Sequence, residues 1–145
     1  MSVQGTSLPG GHYRISAAEN EALCRAVGAT VEPNGRAHPI FYYIATQVGM
    51  GIDVEGLLRL CDFDVSEGPL MAGSEAQFGS ELRVEQDYQV RGEIVSLVRK
   101  ASRTFGEMDI LRFRLTLLEK DGAMVVECEN QWILPRRSGD QNEVR

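Results

Sequence analysis

His38 and Pro39 open the most hydrophobic stretch of the chain, which runs on to Val48. A histidine in such a place can serve as a general base or as a contact to a thioester. Against the base, a helix N-terminus disfavours a positive imidazole, and no carboxylate lies near in sequence to orient the ring. Lining a ligand channel and holding the fold together stay open as its other roles. Glu75 stands in a run of mostly small residues, Leu70-Met-Ala-Gly-Ser-Glu-Ala-Gln-Phe78. It faces either a ligand tunnel or, the plainer reading, the outside of a sheet. Arg36 suits a phosphate by its planar fork of donors, and suits an exposed loop equally well. Tyr42 and Tyr43 read as core aromatics with satisfied hydroxyls rather than catalytic acids. Arg99, Lys100 and Arg103 form the densest basic group, either a small anion site or a solvated strand end. Trp132 reads as a sheet–helix or subunit contact.

The three cysteines, Cys24, Cys61 and Cys128, are far apart in sequence. They give neither a disulfide framework nor a paired metal motif, and no cofactor or metal is predicted. They read as small buried side chains in a reducing compartment. The N-terminus lacks the basic start, apolar stretch and cleavage site of a secretory signal, so the expected location is the cytoplasm. A chain of 145 residues fills one core and not two. Its 43% apolar and 25% charged content is that of a globular domain. The net charge of −6 disfavours nucleic acid and anionic membrane surfaces, which reward a basic face. No apolar run approaches the roughly 20 residues of a membrane span.

Chemistry of this kind needs elements to hold it. Residues 1–12, with Pro9, Gly10 and Gly11, read as a flexible N-terminus, and residues 136–145 as a flexible C-terminus; residues 13–135 form a single domain. Ser16 and Glu19 have capping-box spacing, which predicts a helix to about Val27 with Gly28 as its stop. A central helix over 38–50 is apolar nearly all round and so buried on most faces. Asp53 caps a further short helix reaching Cys61. From Pro69 on, the period changes to two. Strands are expected at 70–78 and along 84–98, where Val84, Tyr88, Val90, Ile94 and Val98 share a parity and Gly92 suggests a bend or bulge. Another alternates through Leu111, Phe113, Leu115 and Leu117, turns at Lys120-Asp121-Gly122, and returns through Met124 to Leu134. Helices first and antiparallel strands second argue for an α+β fold. One apolar helix wrapped by long twisted strands describes a hot-dog fold.

Gly35-Arg36-Ala37-His38 before the buried helix resembles the G-x-x-A-H-G motif that opens the central helix of MaoC-like hydratases and dehydratases. Ser74-Glu75-Ala76-Gln77-Phe78, Tyr88-x-Val90-x-Gly92-x-Ile94 and Lys120-Asp121-Gly122 resemble the strand succession of that family, over roughly residues 13–135. The resemblance implies an acyl-CoA or acyl-carrier-protein thioester as ligand, and water added or removed across its C2–C3 bond. It also implies that Arg36, His38, Phe41 and Tyr42 bind substrate.

Two departures stand against a complete enzyme. Catalytic members carry Asp and His in a D-x-N-P-x-H loop before the central helix; here that interval is Ala-Thr-Val-Glu-Pro-Asn-Gly, residues 29–35, with neither. Family enzymes also place Gly after the motif His, where its N–H polarises the thioester carbonyl; Pro39 has no N–H. Ala37-His38-Pro39-Ile40-Phe41 is similar to the A-x-P-x-F stretch of the non-catalytic half of double hot-dog dehydratases. The expectation is a subunit that shapes the acyl site and works with a catalytic MaoC-like partner or as a homodimer. A self-sufficient hydratase or thioesterase using His38 or Glu75, and an acyl or carrier-protein binding module, are the alternatives. A long unpaired strand would be a liability, which independently favours a dimer.

Overall fold

The structure is a computed structural model and describes residues 3–136. Apart from Arg136, the predicted C-terminal tail lies outside the described residues, as do residues 1 and 2.

Local signals set the helices. Ser16 Oγ accepts the Glu19 amide at 3.0 Å, and Glu19 Oε1 accepts the Ser16 amide at 3.2 Å. This closed capping box starts α1, Ala17–Val27, and Gly28 ends it at φ 73°, the left-handed region that glycine reaches without strain. Asp53 Oδ1 accepts the Gly56 amide at 2.7 Å and starts α3, Val54–Leu60. Between them, α2 is Phe41–Gly49. It begins three residues later than predicted, because the amides of Phe41, Tyr42 and Tyr43 bond to the carbonyls of His38, Pro39 and Ile40. Pro39 thus sits in a tight lead-in turn, where its missing N–H has no partner to lose.

Five antiparallel strands form one sheet: β1 (Gly11–Arg14), β2 (Leu70–Phe78), β3 (Asp87–Ser102), β4 (Gly106–Leu118) and β5 (Met124–Pro135). Their spatial order is β1-β3-β4-β5-β2. Leu111, Phe113, Leu115 and Leu117 of β4 are wholly buried, with Arg112, Arg114 and Thr116 on the other face. α2 packs on β1, β3, β4 and β5, and Tyr42 carries it to β2. Strands lie about 4.8 Å apart and a helix is about 10–12 Å wide. A sheet that meets one helix with all five strands must therefore coil round it. Among the described residues, no helix is long and apolar enough to cross a membrane.

Two expectations need correction. Much of the predicted flexible N-terminus is hydrogen-bonded to the domain. Gly5 and Leu8 donate to the carbonyls of Ile94 and Gly92 on β3, and Gly10 donates to Met50, each at 2.8 Å. Gly11 serves close approach: a Cβ there would come 2.8 Å from the Gly49 carbonyl oxygen, so β1 lies directly against the end of α2. Second, the irregularity in β3 falls between Ile94 and Ser96 rather than at Gly92. The extra residue turns the later side chains over. Leu97 therefore packs on the core, while Val98, predicted inward, is 45% exposed. As expected, α2 is buried on most faces. Phe41, Ala45, Thr46 and Gly49 are buried against the sheet, but Val48 is 68% exposed.

Candidate functional site

The turn into α2 is fixed from two sides. Asn20, buried on α1, accepts the His38 backbone N–H at 2.9 Å. The His38 ring folds over its own turn, and Nδ1 accepts the Ile40 amide at 3.1 Å. A ring nitrogen that accepts carries no proton, so the proton of the neutral ring sits on Nε2. His38 thereby closes the lead-in turn before the helix, with its basic nitrogen already engaged. Among the described residues, no carboxylate pairs with the ring.

Beside this turn lies a cavity of about 390 Å³. Ala37, Pro39, Phe78 and Leu82 give it apolar walls. Arg36 and Glu81 also line it and are paired to each other at 3.3 Å, with Arg83 reaching the same carboxylate at 3.8 Å. Arg36 is thus half exposed and already neutralised. Phe41 faces the core at 1% exposure and lines no part of the cavity. His38 lies between the lining residues Ala37 and Pro39 without lining the cavity itself.

Tyr42 belongs to a directed hydrogen-bond chain. Ser74 Oγ donates to Asn130 Oδ1 at 2.7 Å. Its one proton is then spent, so at the 3.0 Å contact Tyr42 is the donor and Ser74 the acceptor. Thr46 donates to the Tyr42 carbonyl at 2.7 Å, and the Cys128 sulfur lies near both Thr46 and Asn130. The Tyr42 ring meets Phe78 edge-on with centroids 6.0 Å apart. Tyr42 therefore has no proton to offer a ligand and acts as a support behind the cavity.

Glu75 lies on the other side of the sheet. Ser74 and Ala76 face α2 and the core, and successive strand residues point to opposite faces. Glu75 shares the outer face with Arg114, Glu127 and Glu129, where Arg112 and Arg114 pair with the two β5 carboxylates. The structure does not bring Glu75 and His38 together.

Of the basic group at the end of β3, Arg99 is committed as well. Arg99 pairs with Asp109 and Glu107, and Arg136 Nε donates to Asp109 at 3.0 Å. Burial pushes the Asp109 carboxyl up, but the hydrogen bonds and charges of the two guanidinium groups outweigh it and hold the group below its ordinary value. Arg136 also donates to the carbonyls of Cys61 and Asp62, clamping the end of α3 to β4. Trp132 is part-buried against the core, and its indole N–H finds no acceptor among the described residues. Burial pushes the Cys61 thiol up to about 11 and also raises Cys128, which keeps both protonated. No three metal-binding side chains cluster among the described residues.

Sequence reasoning missed Asn20, Ser74, Phe78 and Asn130. Asn130 left a signal: a polar residue on the inward parity of β5, between Cys128 and Trp132.

No family model matches the chain, and no curated protein matches it in sequence. Solved structures do match. The ChsH1–ChsH2 complex from Mycobacterium tuberculosis aligns with TM-score 0.73 at 14% identity, over 92% of this chain and 86% of that one. The C-terminally truncated HadBC (3R-hydroxyacyl-ACP dehydratase) complex from the same organism aligns with TM-score 0.67 at 17% identity, over 92% and 98%. The MaoC-like dehydratase from Rhodospirillum rubrum aligns with TM-score 0.61 at 14% identity, over 92% and 93%. With its sheet coiled round α2 and this overlap along most of its length, the chain has the hot-dog fold, α+β in class, which it shares with that MaoC-like dehydratase.

Proposed function

We propose that this chain is the acyl-thioester-binding subunit of an (R)-type enoyl-CoA hydratase or 3-hydroxyacyl-thioester dehydratase. A catalytic MaoC-like partner supplies the acid–base pair. The observation that carries this reading is the start of α2. Hydrating an enoyl thioester needs a base for the attacking water, an acid for C2, and a donor for the developing charge on the thioester oxygen. Here Pro39 has no N–H, the His38 Nδ1 lone pair is taken by the Ile40 amide, and Glu75 faces the opposite side of the sheet. The same turn borders a cavity with apolar walls and an ionic pair, which suits a ligand with a fatty end and a charged carrier, CoA or a carrier protein.

An incomplete site asks for a partner. Among the described residues β2 pairs only with β5, which leaves its other edge open, and Leu70 and Met71 at its start are exposed. Two of the structures with this fold are complexes of two different chains. That supports a catalytic subunit rather than a second copy as the partner on β2. Three free, buried cysteines fit a reducing compartment, the cytoplasm.

The test is co-expression with a MaoC-like subunit that carries the Asp and His. Co-elution, and crotonyl-CoA hydration that needs both chains, is the expected result. Robust turnover by this chain alone overturns the subunit reading. Binding without turnover in any pairing would favour a module with no chemistry.

A further inference from the structure

We infer that Phe78 sets the length of acyl group this chain accepts, and that Ser74 and Asn130 position it by holding Tyr42. The inference rests on the acyl-thioester reading above. Phe78 ends β2, lines the cavity and is 47% exposed, on the same face as Ser74 and Ala76. At about 390 Å³ the cavity is near the lower end of the range for small-molecule sites, roughly 300–1,000 Å³, so a ring at its wall decides what fits.

The ring is held by a support that is itself held. Tyr42 meets Phe78 edge-on, and the Tyr42 hydroxyl donates to Ser74, which donates to the wholly buried Asn130. Each donor in that chain has one acceptor, so Tyr42 is fixed in place. Its hydroxyl is also spent, so the Tyr42–Phe78 pair presents ring surface and no free donor to the cavity. An alkyl chain suits such a wall better than a hydroxylated one. Phe78 thus stops a long acyl chain while packing against a short one, and Ser74 and Asn130 act on the ligand only through Tyr42.

The experiment is calorimetric titration of the full chain with butanoyl-CoA and hexadecanoyl-CoA, both saturated and inert to hydration. The wild type prefers the shorter thioester. Phe78→Ala removes the wall and also the contact with the short chain, so the ratio of the two affinities shifts toward hexadecanoyl-CoA by roughly tenfold or more. Phe78→Leu, which keeps an apolar side chain at this exposed position, shifts it less. Ser74→Ala shifts the ratio in the same direction, and Ser74→Thr, which keeps the hydroxyl, restores it. If both thioesters bind and the Phe78→Ala ratio equals that of the wild type, the inference fails while the acyl-thioester reading stands. If the wild type binds neither thioester, both fail.

Discussion

The side-chain oxygen of Asn20, on α1, accepts the backbone N–H of His38 at 2.9 Å and fixes the turn that leads into α2. The Asn20 side chain is buried, so removing it leaves an unpaired N–H in a poorly hydrated place. Asn20→Ala is expected to cost about 1–3 kcal/mol. Urea unfolding measures this, and a loss of less than about 0.3 kcal/mol would contradict the anchoring role.

His38 is predicted to hold its neutral ring as the Nε2–H tautomer, since Nδ1 accepts the Ile40 amide at 3.1 Å. Nitrogen-15 chemical shifts of the imidazole report this directly. His38→Ala loses the hydrogen bond that closes the lead-in turn, worth about 0.5–1.5 kcal/mol. A proton found on Nδ1 would contradict this turn geometry and free Nε2 as a base.

Much of the fold was legible because its signals are local. The Ser16–Glu19 box, the Asp53 cap and the glycine at position 122, which takes φ 92° in the β4–β5 turn, lie within a few residues of what they organise. The alternation of β4 runs unbroken, so its inward face reads off directly. What escaped depends on distant partners. The bulge after Ile94 reverses parity without any residue type announcing it. Gly10 and Gly11 read as mobile, yet they are small because the β3 backbone at Val90 lies against Gly10 and the end of α2 against Gly11. In the site, the empty connection before α2 could be read from its residue types. The Tyr42–Ser74–Asn130 chain joins residues 32 and 56 positions apart and needed the sheet register to appear.

Acid should weaken the clamp on α3. The Asp109 carboxyl is held below its ordinary value of about 3.9 by Arg99 and Arg136, so its contribution is fully present above that pH and fades as pH falls through the folded value. Asp109→Asn is expected to lose about 2–3 kcal/mol at pH 7, as hydrogen bonds to charged groups are worth. The gap to the wild type should narrow below about pH 4. Chemical denaturation of both proteins from pH 7 to pH 2.5 checks this, and a constant gap would contradict it.

The cysteines should be chemically silent. Cys24, Cys61 and Cys128 are free and buried, and burial raises the Cys61 thiol to about 11. At pH 8 an aromatic disulfide reagent is expected to leave the native chain unlabelled and to release three equivalents after denaturation. Fast labelling of one thiol in the native chain would point to a nucleophile that the geometry does not provide.

The central claim is that this chain binds acyl thioesters and leaves them unchanged. Its most direct test places both halves in one sample: crotonyl-CoA is titrated into the purified chain by calorimetry, and the recovered ligand is assayed for 3-hydroxybutanoyl-CoA. Saturable binding with crotonyl-CoA recovered intact is the predicted result. Hydrated product formed in catalytic excess over the chain would contradict it.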